Sequence, residues 1–267
     1  TNDPFTFVLS GGGARGALQV GALYALLEAG YQPDMLVGVS IGAVNAAFLA
    51  LHGFSRQSLD RLKNAWLDSM HLNLLPSNYI WLAVRAMLRR SSNDPAKKIR
   101  DFFIANGLAP ELTFAELQQP RLVIVSADLN TGQPVLHGIT DHEKVLDALL
   151  VSTALPPWVM PVKDKDHYYV DGGVLSNLPI EPAIRAGAGQ IIALDLLDGR
   201  GLQGSGTRLP EFIDKLAIAT EKRSLTLELE LAAARGVPTQ YISLTGSALA
   251  PLWDFSRTPS SKVLYSS

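Results

Sequence analysis

Two glycine-rich turns near the start of the chain constrain its fold more than any other feature. The first is Ser10-Gly11-Gly12-Gly13-Ala14-Arg15-Gly16, and the second is Gly38-Val39-Ser40-Ile41-Gly42. Each follows a short apolar run, Phe5 to Leu9 and then Met35 to Val39, and each opens a run of small residues with helical character. A strand, a glycine turn and a helix repeated in this order predict parallel strands joined by helices.

The remainder of the chain continues this alternation. Apolar runs predict strands at 121–128, 134–137, 168–170 and 190–194, and helical spacing predicts helices at 55–69, 96–106, 143–152 and 210–235. We therefore expect an α/β fold with a mainly parallel central sheet flanked by helices on both faces, in three layers. The 267 residues suit a single domain, 1–267, in which 198–267 form a helical C-terminal extension.

Composition excludes several kinds of chemistry. The net charge of −2 provides no field that would attract nucleic acid, and the absence of cysteine excludes a thiol nucleophile or a thiolate metal site. We expect no metal and no cofactor. The uncharged run from Met35 to Leu51 is near the lower length limit of a membrane span, but its glycines and polar residues divide it into a strand, an elbow and a helix.

The first glycine turn has two interpretations. Gly11-x-Gly13-x-x-Gly16 occurs in dinucleotide-binding folds, where the second strand ends in an acidic residue that binds the ribose. Here the nearest acid, Asp34, precedes that strand. A dinucleotide-dependent oxidoreductase is therefore the weaker alternative, and an anion cradle made of backbone N–H groups is favoured.

The second turn presents Ser40 as a candidate nucleophile, because Gly-x-Ser-x-Gly lifts a hydroxyl out of a sharp strand-to-helix bend. The five histidines show no catalytic signature, and none lies in the last hundred residues, where an α/β-hydrolase triad would place one. The other candidate base is Asp171, which ends a short strand and precedes Gly172-Gly173. An ordinary β-turn aspartate is the alternative interpretation of that motif.

Taken together, these segments resemble the patatin-like phospholipase family over about residues 5–197. The resemblance is carried, in chain order, by Gly11 to Gly16, Gly38 to Ala43 with Asn45-Ala46-Ala47, Ala127-Asp128 with Thr131-Gly132, Ser152-Thr153-Ala154-Leu155-Pro156, and Asp171 to Val174 with Asn177-Leu178-Pro179. Two positions depart from the family pattern: Ser10 stands where many members have aspartate, and Pro157-Trp158 where a smaller residue is usual.

The resemblance implies a serine acyl hydrolase that cleaves lipid acyl esters, of phospholipase A, lysophospholipase or esterase type. Its base would be Asp171, acting on Ser40 directly, and the N–H groups of Gly11, Gly12 and Gly13 would form the oxyanion hole. Arg15 would stiffen this loop or face an anionic head group, unless it is a solvated arginine at a helix start. The supporting positions would be Gly16, Gly38, Gly42, Gly172 and Gly173. A relative that binds or regulates lipid without catalysis is the other alternative.

Residues 80–100 combine an apolar helical face containing Trp81 with basic side chains at Arg85, Arg89 and Arg90. A basic amphipathic helix of this kind can lie on an anionic membrane, although such faces more often pack on the protein's own core or cover its active site. Residues 80–100 are therefore a candidate peripheral membrane contact in a protein that we expect to be cytoplasmic and to act on a lipid or phospholipid substrate.

Overall fold

Strands and helices alternate along the chain as the sequence predicts. The computed structural model of the protein describes residues 3–69, 95–156, 159–197 and 209–244. The strands are β1 Phe5–Leu9, β2 Met35–Val39, β3 Arg121–Asp128, β4 Gln133–His137, β5 Val162–Asp164, β6 His167–Asp171, β7 Gln190–Asp195 and β8 Thr239–Ser243. The α-helices are α1 Ala17–Glu28, α2 Ile41–His52, α3 Arg56–Ser69, α4 Pro95–Ala105, α5 Val145–Ser152, α6 Ile180–Arg185 and α7 Leu209–Ala234.

All these strands belong to one sheet with the order β5-β6-β3-β2-β1-β7-β8, and β4 pairs with β3. The five strands β3, β2, β1, β7 and β8 are parallel to one another. The strands β4, β5 and β6 pair in antiparallel fashion around the end of β3. The prediction of a mainly parallel central sheet is confirmed.

Successive side chains of the central strands β1, β2, β3 and β7 enter two separate cores, because they point to opposite faces of the sheet. Phe7 and Leu9 pack with buried residues of α1 to α5, whereas Val8 packs on the other face with residues of α6 and α7. Both faces of the sheet are therefore covered by helices, which confirms the predicted three-layer arrangement.

The structure differs from the sequence prediction in several local elements. The first helix does not begin at Ala14 but at Ala17, since Gly13–Gly16 form a 3₁₀ turn in which Gly13 has φ +56°. The short elements β5, α6 and β8 were not predicted. Residues 198–267 do not form a purely helical extension, because α7 is followed by β8, which pairs with β7 at the sheet edge.

Two predicted features lie outside the described residues. These are the greater part of the basic amphipathic segment 80–100, including Trp81, and the Pro157-Trp158 departure. Within the described ranges, no helix combines the length and apolar character needed to cross a membrane.

Candidate active site

The bend between β2 and α2 holds Ser40 in a backbone conformation that few residues other than glycine adopt. Ser40 has φ 53° and ψ −126°, and its carbonyl accepts the N–H groups of Ala43 and Val44 in the first turn of α2. The bend is tight: a Cβ atom on Gly38 would lie 2.5 Å from the Gly42 carbonyl oxygen. Strained non-glycine residues of this kind concentrate at functional sites, where the surrounding structure maintains the strain.

The sheet itself brings Asp171 to Ser40. Strand β2 pairs with β3 as far as Val39 opposite Val125, and β6 pairs with the next β3 residue through Asp171 opposite Ser126. Strand β4 pairs with residues 124–128 of β3, and this range includes residues that also pair with β2 and residues that also pair with β6. Because β4 occupies one edge of β3 there, β2 and β6 must both lie along the other edge. The end of β2 and the end of β6 therefore meet along one edge, and the Ser40 hydroxyl donates a hydrogen bond to the Asp171 carboxylate.

The Asp171 carboxyl is almost fully shielded from solvent, with 3 % of the residue exposed. Burial raises its pKa from 3.8 to about 6, although the hydrogen bonds from Ser40 and from the Gly173 N–H (2.8 Å) favour the ionised form and partly offset this effect. Gly172 is required next to it, since a Cβ atom there would lie 2.6 Å from the Val125 carbonyl oxygen. Asp171 is thus a buried, hydrogen-bonded carboxylate in contact with the serine.

Ser152 holds the bend at Ser40 in place through two hydrogen bonds. Its hydroxyl accepts the Ser40 N–H at 3.0 Å and donates to the Val125 carbonyl at 2.7 Å, which links the elbow to β3. The sequence motif containing Ser152 was recognised, but this role was not, because it depends on a contact between residues 112 positions apart.

The loop Gly11 to Gly13 is held by hydrogen bonds that orient its peptide planes. Asn177 contacts Gly11 twice: its carbonyl accepts the Gly11 N–H at 3.0 Å, and its side-chain amide donates to the Gly11 carbonyl at 3.4 Å. The Gly12 carbonyl accepts from the backbone N–H and the Nε of Arg15, at 3.2 and 3.5 Å. Because a trans peptide points its N–H opposite to its carbonyl, these contacts fix the directions of the Gly12 and Gly13 N–H groups.

This arrangement reduces the number of N–H donors in the predicted oxyanion hole. The Gly11 N–H already donates to Asn177, so it is not available as a donor in this conformation. For the N–H groups of Gly12 and Gly13, no acceptor is found among the described residues. Gly11 still lies against the serine, because a Cβ atom on it would be 3.3 Å from the Ser40 Cβ.

A chain of buried amides braces the same loop from the side of α1, α2 and α3. Gln19 donates to the Ser10 carbonyl at 2.9 Å, and Asn45 donates to the Gln19 side chain at 2.9 Å and to the Gly16 carbonyl at 3.0 Å. The Trp66 indole N–H completes the chain by donating to Asn45 at 3.0 Å. Buried polar groups that are all hydrogen-bonded in this way rigidify their surroundings.

Arg15 is a loop-stiffening residue rather than an exposed cation. It is 8 % exposed, and its charge lowers the pKa of the neighbouring Asp195 and Glu221 carboxyls, which burial raises. The Ser10 hydroxyl accepts the Leu196 N–H at 2.9 Å and so connects the loop to the end of β7.

An apolar cleft begins beside the bend that carries Ser40. It is lined by Ile41, which directly follows Ser40, and continues along α2 between α3 and α4. Together with the solvent space at its mouth, the cleft has a volume of about 680 Å³. Its lining includes Val44, Phe48, Leu51, Leu62 and Phe102. The lining is predominantly apolar, as is usual for pockets that bind hydrophobic ligands.

The groups considered for other chemistries lie elsewhere. His137 contacts Ser126 at 2.8 Å and His167 contacts Asp128 at 2.7 Å, so both have partners other than Ser40. The Asp34 carboxylate accepts the Phe5 N–H at the start of β1, at the opposite end of the strands from the glycine turns. This position does not suit the ribose acid of a dinucleotide site.

Comparison with known proteins places these features in a family. The model of the patatin-like phospholipase family matches residues 7–184. An uncharacterised Bacillus subtilis protein, YqhO, is 30 % identical over 190 residues, which cover 65 % of this chain and 64 % of that protein. Human patatin-like phospholipase domain-containing protein 6 is 30 % identical over 196 residues, 73 % of this chain but 14 % of its own length. The chain thus spans less than two thirds of either relative.

Among solved structures, VipD from Legionella pneumophila aligns with 100 % of this chain and 67 % of its own, at 16 % identity and a TM-score of 0.45.

Proposed function

The chain belongs to the patatin-like phospholipase family, and from this we propose that it is a serine acyl hydrolase in which Ser40 is the nucleophile and Asp171 the base. The observation that carries the proposal is the hydrogen bond from the serine hydroxyl, held on a strained elbow, to a buried carboxylate. A hydroxyl becomes nucleophilic when a positioned base removes its proton during attack.

In the first half of the reaction, the Ser40 oxygen attacks the ester carbonyl carbon while its proton passes to Asp171. The carbonyl oxygen becomes an oxyanion, which the N–H groups of Gly12 and Gly13 stabilise together with the amino end of α2. Collapse of this intermediate breaks the bond to the alcohol, which leaves with the proton from Asp171. The acyl group remains on Ser40.

In the second half, Asp171 accepts a proton from water as the water attacks the acyl-enzyme carbonyl. The second tetrahedral intermediate uses the same donors and collapses to release the carboxylic acid, and Ser40 regains its proton. Raising the pKa of Asp171 towards the working pH makes this carboxylate a stronger base than an exposed aspartate.

The apolar cleft along α2 supports a lipid ester as the substrate. Because Ile41 lines the cleft and adjoins Ser40, an acyl chain in the cleft would bring its carbonyl carbon to the nucleophile. Each buried methylene stabilises the complex by about 0.8 kcal/mol, so long-chain esters should be preferred to short ones.

A fluorophosphonate probe and a fatty-acyl ester assay test the proposal together. The wild type should be labelled and should release fatty acid, whereas Ser40→Ala should do neither. Asp171→Asn should retain Ser40 but lose turnover by about 10²- to 10⁴-fold, the usual contribution of a general base. Ser152→Thr keeps a hydroxyl that can accept the Ser40 N–H, and it serves as the conservative control variant for these two substitutions.

Labelling that survives Ser40→Ala would refute the nucleophile, and normal turnover in Asp171→Asn would refute the base. A folded wild type that binds phospholipid vesicles yet shows neither labelling nor hydrolysis would instead favour the non-catalytic lipid-binding alternative. Circular dichroism of each variant establishes that the comparison is made on folded protein.

A further inference from the structure

A hydrogen-bonded chain connects α7 to the loop that carries the Gly12 N–H. The side-chain amide of Asn177 uses its two N–H groups on different partners: it donates to the Gly11 carbonyl at 3.4 Å and to the Glu221 carboxylate of α7. The Gly11 carbonyl belongs to the same peptide plane as the Gly12 N–H. The orientation of that N–H therefore depends on Asn177, and the orientation of the Asn177 amide depends on Glu221.

The groups around Glu221 make its ionisation state sensitive to pH. Among the described residues, three groups lie close enough to affect its charge: the Asp195 carboxyl at the end of β7, the Arg15 guanidinium beside the loop and the Tyr241 hydroxyl of β8, which donates to Asp195 at 2.7 Å. Two carboxyls thus share one guanidinium in a region screened from water. Repulsion between like charges favours a proton on one of them.

We propose that Glu221 is a positioning residue for the Gly12 N–H, and that its carboxylate orients the loop through Asn177 only when it is ionised. The inference rests on the proposed function for its effect on turnover, but the contact chain itself does not depend on that function. A hydrogen bond to a carboxylate is roughly twice as strong as one to a neutral acceptor, so protonation loosens Asn177.

The pKa of Glu221 is consistent with such a device. Burial and, to a smaller extent, repulsion from Asp195 raise it from 4.5 to about 7, although the Asn177 hydrogen bond and the Arg15 charge partly offset them. Above this pH the ionised carboxylate holds the amide, and below it the neutral acid holds it less firmly. The loop should therefore be best ordered on the alkaline side of neutrality.

The kinetic test compares the pH profile of kcat/KM in the wild type and in Glu221→Gln, which is permanently neutral. The wild type should lose activity on acidification in two steps, one near pH 7 from Glu221 and one near pH 6 from Asp171. Glu221→Gln should be about fivefold less active at pH 8 and should keep only the lower step. A variant profile with the wild-type height and shape would overturn the proposal.

Two other glutamates of α7 provide the controls. Glu228 is also buried, but it accepts from the Ser176 hydroxyl at 2.6 Å and from the Glu181 N–H at 2.9 Å, so Glu228→Gln should lower stability without removing the step near pH 7. Glu230 is exposed, and Glu230→Gln should change neither property. Loss of the step near pH 7 in Glu228→Gln would assign it to a general weakening of α7 and would overturn the proposal.

Amide hydrogen exchange of peptides covering residues 10–16 tests the contact chain without using activity. After correction for intrinsic exchange, protection in the wild type should rise about fivefold between pH 6 and pH 8 and should not change in Glu221→Gln. Equal behaviour of the two proteins would overturn the inference, even if the wild type hydrolyses lipid. Conversely, the expected difference in a protein without turnover would refute the proposed function and leave the positioning role standing.

Discussion

Replacing Asp171 by asparagine should lower turnover by about 10²- to 10⁴-fold and at the same time make the folded protein more stable at neutral pH. The carboxyl is buried, and its pKa is raised from 3.8 to about 6, so ionisation is less favourable in the folded chain than in the unfolded one. A difference of about two pKa units corresponds to at most about 3 kcal/mol. This destabilisation is absent below about pH 4 and complete above about pH 6, because an acid with a raised pKa is penalised only where it is ionised.

Asparagine keeps the shape of the side chain and retains an oxygen that can accept the Gly173 N–H. Urea unfolding of the wild type and Asp171→Asn between pH 4 and pH 8 should therefore show a difference of only about 0.5 kcal/mol at pH 4 and a stabilisation that grows to about 1–3 kcal/mol at pH 7. Asp141→Asn, at an exposed position, controls for the general loss of one negative charge. A stabilisation of equal size at pH 4 and pH 8, or a loss of stability at pH 7, would refute the desolvation argument.

Three further predictions concern the elbow and the cleft. Gly42→Ala should lower kcat/KM by about 10²-fold, because the added Cβ would lie 2.6 Å from the Ser10 carbonyl oxygen and displace the glycine loop. Unchanged kinetics would contradict this contact. Ser152→Ala removes the acceptor of the Ser40 N–H and should cost about 1–3 kcal/mol in urea unfolding, and an unchanged midpoint would contradict that role. Val44→Trp should narrow the cleft one turn from Ser40 and lower the rate ratio of dodecanoyl to acetyl esters by about tenfold or more, and an unchanged ratio would place the acyl chain elsewhere.

The sequence was sufficient for the parts of the site that follow from local chemistry. The strands β1 and β2, the glycine turns and the bend at Ser40 are each encoded within a few residues, and their predicted positions match the structure. Asp171 was identified because it lies between a strand and two glycines. The resemblance added that it should meet Ser40.

The remainder depends on contacts between distant residues. The Gly11 N–H donates to the carbonyl of Asn177, which lies 166 positions away, and no local sequence pattern predicts such a bond. Glu221 lies on a helix whose sequence shows no motif, so its place beside Asn177 could not be predicted. Strand β8 is short and largely exposed, and it forms because β7 offers a free edge rather than because its own sequence is strongly apolar.

The stability of the fold and the proposed chemistry place opposite demands on Asp171. An exposed aspartate, with a pKa near 4, is a weak base at neutral pH, whereas a carboxylate with a pKa closer to the working pH removes a proton more effectively. The proposed mechanism needs no imidazole to raise the basicity, since the register of β6 on β3 buries the carboxyl and brings it to Ser40. The same burial disfavours the ionised form that catalysis requires. The Ser40 and Gly173 hydrogen bonds limit this effect, and so they keep the base charged within the pH range in which it would act.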